Sequence, residues 1–246
     1  VNWLVIGASV LLAVVHLTVG RLHFIEHIPR SRFLSIAGGI SVAYVFLHIL
    51  PELEEHQETV AQELTAGIFN YLAHHVYVTA LLGLIIFYSI EKYVKKSHKA
   101  NKKASGESSP HIEAFWNHVA LFFFYNALIG YLLVYQSEDG WIGMLLFVIV
   151  MALHFLVTDF GLRFHHEETY DKYGRWVLAV AIIIGAAAGS FAIIPEEIFA
   201  LVFAFLSGAI ILNVLKEELP DERESSLGAF VSGAAGYIVL LQLLLL

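Results

Sequence analysis

Eight times along its 246 residues this chain runs for about 18 to 24 mostly apolar residues, each run long enough to cross a hydrocarbon core roughly 30 Å thick. The runs fall near 2–20, 33–51, 71–91, 114–136, 141–162, 176–194, 197–216 and 228–246. A segment inside lipid has no water to bind its backbone and must satisfy it internally, so each run is expected to be a helix. With 58% hydrophobic and only 15% charged residues, the composition lies outside the soluble range. The expected fold is all-α, a polytopic membrane protein with eight transmembrane helices in a single domain. The first run lacks a basic start and a small-residue cleavage site, and so reads as a span rather than a signal peptide.

Charge then orients the helices. If the loops alternate sides, one side carries Arg21, Arg30 and Arg32, the Lys92–Lys103 group, Arg163, Lys172, Arg175, Lys216 and Arg223, which together hold all the basic residues. The loops of the other side carry Glu52, Glu54, Glu55, Glu58, Glu63, Glu138, Asp139, Glu196 and Glu197 without a Lys or Arg. By the positive-inside tendency the basic side is cytoplasmic, which puts both termini outside an integral protein of the plasma (inner) membrane. The formal charge of −8 argues against nucleic acid as a partner and leaves lipid and cations. No Cys and two Met exclude a thiolate site and leave little soft sulfur for Cu(I). A metal here would meet His, carboxylate and amide oxygen.

The segment 94–110, VKKSHKANKKASGESSP, is basic and polar, and is expected to be a flexible cytoplasmic loop between three spans and five. An internal repeat lies across it. GGISVAYVFLHILPELEE from Gly38 and SGAIILNVLKEELPDERE from Ser207 align at a constant offset of 169 residues, with Gly39 on Gly208, Leu50 on Leu219, Pro51 on Pro220 and Glu52 on Asp221. The second span runs outward and the seventh inward, so helices 1–3 and 6–8 are expected to form an inverted-topology repeat, the arrangement of alternating-access transporters. Tyr44, His48 and Glu52, spaced four apart on one helical face, then correspond to Asn213, Glu217 and Asp221.

These residues resemble the ZIP (zinc- and iron-regulated transporter-like) family of metal transporters. GGISVAYVFLHILPELEE is similar to that family's second helix, with a glycine-rich start and a His-Leu-Leu-Pro-Glu-like end. GAAAGSF at 185–191, FLSGAIILNVLKEELPDE at 205–222 and LGAFVSGAAGY at 227–237 are similar to its last three helices. The resemblance implies a 3+2+3 arrangement and a divalent cation (Zn²⁺, with Fe²⁺ or Mn²⁺ as alternatives) carried as substrate toward the cytoplasm. It places Asn126 near the acidic position of the fourth-helix motif. In the fifth helix His154 matches the first histidine, Thr158 replaces the second, and Asp159 stands at the final acid. The first acid of that motif is Phe155 here and its proline is Val157. His154, Asp159, Asn126 and Thr158 are therefore the implied metal site. His48 and Glu52 are implied at the entry and Asn213 and Glu217 at the exit, while His118, about two turns before the fourth-helix motif, is a pathway candidate by its position alone.

Asp159 is the costliest of these residues to bury, since a charge at mid-bilayer loses about 2.5–3.5 kcal/mol of insertion energy even on the lenient scale. It must face the bundle interior with a partner. His154 stands five residues before it, about 140° around an ideal helix, whereas His154 and Thr158 share a face. One reading pairs Asp159 with Arg163 one turn on. The other has it bind a cation or proton together with inner-half residues such as His16, His118, His154, Asn213 and Glu217. Imidazole and carboxylate bind Zn²⁺, Mn²⁺ or Fe²⁺ only when deprotonated. Two further functions stay open: a relative that is non-transporting or carries another solute, and a zinc-dependent intramembrane hydrolase. No HxxxH or HExxH pair on any helix supports the hydrolase, and an enzyme is not expected. Small-residue faces such as Gly185–Gly189 permit close helix contact, either within one chain or across a homodimer.

Overall fold

Apolar helices dominate the computed structural model, which describes residues 2–21, 30–61, 75–105, 112–137, 140–192, 194–218 and 226–244. In chain order these form α1 (Trp3–Thr18), α2 (Arg30–Tyr44), α3 (Leu50–Ala61), α4 (Val76–Ser105), α5 (Ile112–Gln136), α6 (Trp141–Thr169), α7 (Arg175–Phe191), α8 (Glu196–Asn213) and α9 (Leu227–Leu244). Three five-residue π-turns carry α2 into α3 (Val45–Ile49), α6 into α7 (Tyr170–Gly174) and α8 onward (Val214–Glu218). The described residues contain no strand.

Among the described residues seven helices are long and apolar enough to cross a membrane, over Ser35–Gln57, Val76–Tyr93, Phe115–Gln136, Trp141–Arg163, Tyr170–Phe191, Ile198–Lys216 and Leu227–Leu244. The fold is that of a polytopic α-helical membrane protein. The first apolar run is shorter than expected. Its α-helix has 16 residues, continued by a 3-10 turn over Val19–Arg21. At 1.5 Å per residue the α-helical part reaches about 24 Å.

Two boundaries differ from expectation. Pro51 does not end the second span, because the widened turn at Val45–Ile49 lets the helix continue through Pro51 to Ala61. Nor is 94–110 a loop over its first part, since α4 continues to Ser105. Lys and Ala are good helix formers, and no Gly or Pro interrupts the stretch before Gly106. The remainder, 106–110, lies outside the described residues.

The chain divides into two compact units: Val1–His27 with Tyr88–Ala192, and Ile28–Phe87 with Ile193–Leu246. In the first unit α5 packs along α7, and α1 packs on α6 and α7. A Cβ at Gly185 would run into the Ala127 carbonyl, and one at Gly130 into the Ile182 carbonyl. The small-residue face thus serves contact within one chain.

The second unit has two crossings of the same kind. Gly39 lies on the Phe230 carbonyl and Gly233 on that of Ile36, joining α2 to α9. Gly208 lies on the Ala80 carbonyl and Gly83 on that of Phe205, joining α8 to α4. In each crossing a glycine meets the carbonyl of the residue three before its partner glycine. Without a hydrophobic driving force between helices in lipid, such close approach supplies the packing that holds them together.

Candidate functional site

Asp159 lies on α6 and is fully buried. Its partner is not Arg163. That guanidinium reaches Asp171 instead, with Nε 3.1 Å from Oδ1 near the end of α1. Asp159 Oδ2 is 2.6 Å from His16 Nδ1, on α1 and 143 residues away in sequence. His16 is 1% exposed, and its Nε2 lies 3.0 Å from Asn126 Oδ1 on α5. The amide's other end closes the chain, as Asn126 Nδ2 donates to the Phe122 carbonyl at 2.7 Å.

This geometry fixes where the hydrogens are. A carbonyl oxygen can only accept, so the amide nitrogen faces Phe122 and Asn126 Oδ1 is left to accept from His16 Nε2–H. Two bare acceptors 2.6 Å apart would repel, so a further hydrogen lies between His16 Nδ1 and Asp159 Oδ2. Both ring nitrogens of His16 are therefore occupied by hydrogen-bonded contacts. A cation entering between Nδ1 and Oδ2 must displace a proton. Asp159 keeps one free acceptor, since Oδ1 is buried with no hydrogen-bond partner. Nearby, the buried Tyr170 hydroxyl has no geometric partner and feels the Asp159 carboxylate.

The expected ligand set only partly assembles. Asn126 and Asp159 meet the same imidazole. His154, also buried, turns instead to Tyr125, whose hydroxyl is 2.7 Å from His154 Nε2. The 140° separation of His154 and Asp159 on one helix sends them to different neighbours. Between the two imidazoles stands the Phe155 ring, with its centroid 4.6 Å from that of His16 and 6.1 Å from that of His154. Thr158 is buried with its hydroxyl unpartnered, so it joins neither group. His118 lies against the Phe122 ring, 5.2 Å between centroids. Among the described residues no three of His, Cys, Asp and Glu come together as a set able to hold a metal. Of the four residues expected at the site, Asn126 and Asp159 share the His16 imidazole, while His154 bonds Tyr125.

Sequence reasoning placed His16 only among several inner histidines, and it missed Tyr125 and Tyr170. A lone histidine in an otherwise apolar helix was the available signal for His16, because its ring had to find partners within the bundle. Nothing in the aromatic run FFFY at 122–125 separates the one tyrosine that bonds a histidine from its packing neighbours.

The second unit holds the residues expected along the pathway. His48 is half-buried within the π-turn, stacked on Tyr44 at 5.0 Å and edge-on to Tyr237 at 5.9 Å. Its Nε2 is buried without a hydrogen-bond partner, as is the Tyr237 hydroxyl. Glu52 is half-buried beyond the turn and acts electrostatically on Tyr44. Asn213 is 4% exposed with an unpartnered Nδ2. The Glu217 side chain lies outside the described residues, as do His74 and Asp221.

Comparison with protein-family models, with curated proteins and with solved structures returns no match for the chain.

Proposed function

We propose that the protein is a membrane transporter of divalent cations on a ZIP-like plan, moving Zn²⁺, Fe²⁺ or Mn²⁺ toward the cytoplasm by alternating access between helices 1–3 and their inverted counterparts 6–8. The observation that carries this reading is Asp159: a fully buried carboxylate on an apolar span, with one oxygen on His16 and the other unpartnered. Ionisable groups within a span mark ion pathways by default, because burying them has a cost that packing alone would not retain. His16, Asp159 and Asn126 offer imidazole, carboxylate and amide oxygen, a donor set for borderline and hard divalent cations. Few protein ligands make for weak binding, which suits release. His48 and Glu52 keep the entry role that the resemblance implies, and Asn213 and Glu217 the exit role. In this reading the basic loops face the cytoplasm and both termini face away from it.

Reconstituted liposomes loaded with a metal-sensitive dye test the reading. Zn²⁺, Mn²⁺, Fe²⁺ or Cd²⁺ entry above that of empty liposomes is expected, and Asp159→Asn, which keeps the shape but not the charge, abolishes it. Entry no faster than into empty liposomes overturns the proposal, and so does entry unchanged by Asp159→Asn.

A second reading is favoured by the hydrogen held between His16 and Asp159. Here the pair carries a proton and the transported solute is not a metal. Proton uptake by the same liposomes on a pH jump, sensitive to Asp159→Asn but with no metal entry, selects it.

A further inference from the structure

Two of the three π-turns occupy equivalent places. Val214 follows Val45 by 169 residues and Glu218 follows Ile49 by the same distance, the offset that also relates Gly39 to Gly208. Each turn begins six residues after a glycine that is locked against a neighbouring backbone, Gly39 on Phe230 and Gly208 on Ala80. Each helix is thus pinned first and widened next.

The cause of the widening is local. Proline has no N–H to offer the residue four before it, and its ring collides with that residue's carbonyl. Four before Pro51 is Leu47, the middle of the first turn, and four before Pro220 is Lys216, the middle of the second. In the first turn the Leu50 N–H reaches back five residues to the Val45 carbonyl, an over-wide bond that clears the obstruction. The third turn, Tyr170–Gly174, has no such origin, for Trp176 stands four beyond its middle residue. At both proline-linked turns a buried polar group is also left unsatisfied: His48 Nε2 inside the first, and Asn213 Nδ2 directly before the second. The present arrangement of both turns leaves hydrogen bonds unmade.

We propose that Val45–Ile49 and Val214–Glu218 are a matched pair of register switches, each followed in sequence by a proline and each able to tighten to α-helix. A π-turn contains about one residue more than the α-turn it replaces. Tightening it turns the helix beyond by roughly 100°, one residue's rotation. Beyond the first switch that rotation carries Glu52 to a new bearing and brings Leu53, fully buried here, out of its packing. The glycine crossing upstream does not move. The inference goes beyond the cation reading and draws on the second unit alone.

The absence of cysteine makes the test direct, since any introduced thiol is the only one. Leu53→Cys reports on the helix beyond the first turn, and Ser41→Cys, 1% exposed and before the turn, reports on the pinned part. A water-soluble maleimide is expected to label Leu53→Cys about tenfold faster when Pro51→Ala is added, as buried and opened sites differ, while Ser41→Cys stays slow in both backgrounds. For the second turn, amide exchange across 214–218 slows several-fold in Pro220→Ala, while exchange across 170–174 is unchanged. Equal labelling of Leu53→Cys with and without Pro51→Ala overturns the proposal. Fast labelling of both cysteines overturns it as well, since the chain has then loosened generally, and unchanged exchange across 214–218 removes the second switch. Neither readout involves a transported ion, so their failure is distinct from a failure of cation entry.

Discussion

Each unit buries an asparagine on an apolar helix, and the two are treated in opposite ways. In the first unit Asn126 uses both ends of its amide, accepting from His16 and donating to the Phe122 carbonyl, and the chain of bonds runs on to Asp159. In the second, Asn213 is 4% exposed with an amide nitrogen bonded to nothing, and His48 and Tyr237 likewise have buried polar atoms without partners. Satisfied buried networks rigidify and specify one arrangement, whereas unsatisfied groups raise the energy of the state that contains them. The contrast lies between the two asparagines and not between the units, since Thr158 Oγ1, Asp159 Oδ1, the Tyr170 hydroxyl and Arg175 Nε are buried without hydrogen-bond partners in the first unit as well.

The largest effect follows from opening the closed network. Asp159→Ala leaves His16 buried without its acid, and breaking one side of a buried pair costs about 3–5 kcal/mol. His16→Ala is expected to cost a similar amount. Removing both costs far less than the sum, because neither charge is then stranded. Denaturant unfolding of the four proteins in detergent measures this. Additive losses would show that the two residues act independently and that His16, Asp159 and Asn126 are not one network.

How far the sequence disclosed this arrangement depends on the range of each interaction. The apolar helices, though not their lengths, and the 169-residue offset were legible, because apolar runs and glycine and proline placement act locally; the matched turns fall where Leu-Pro recurs. The angular argument that separates His154 from Asp159 was also local, and the two do go to different partners. The partner of Asp159 was not legible. Sequence spacing puts Arg163 within reach, but only tertiary packing brings His16 across 143 residues. Composition likewise marked 94–110 as a loop, while the same lysines and alanines extend α4 to Ser105.

A smaller effect sharpens the comparison within the second unit. Gly39→Val and Gly208→Val each place side-chain atoms against a neighbouring carbonyl, and such overpacking costs about 1–3 kcal/mol. If the two crossings are matched halves of one design, the two losses agree. Gly7→Ala, where a Cβ meets nothing within 4 Å, gives the reference for a glycine that is merely helical, and a gain of roughly 0.5–1 kcal/mol is expected there. Thermal unfolding in one detergent resolves all three. A large loss at Gly39 with none at Gly208 would break the equivalence of the two halves and weaken the case for paired turns.

The smallest effect is the most diagnostic because its sign differs between the units. Asn126→Leu removes the acceptor of His16 Nε2–H, leaving that donor buried and unmet at a cost of about 1–3 kcal/mol, while the Phe122 carbonyl keeps its helical backbone bond. Asn213→Leu has nearly the same change in shape, yet it removes an amide nitrogen that has no bond to lose. Replacing an unsatisfied buried polar group by an apolar one is neutral or stabilising, here by up to about 1 kcal/mol. The two variants should therefore move the unfolding midpoint in opposite directions. A loss in Asn213→Leu as large as that in Asn126→Leu would mean that Asn213 is held by bonds after all. In that case the contrast between the two asparagines would disappear.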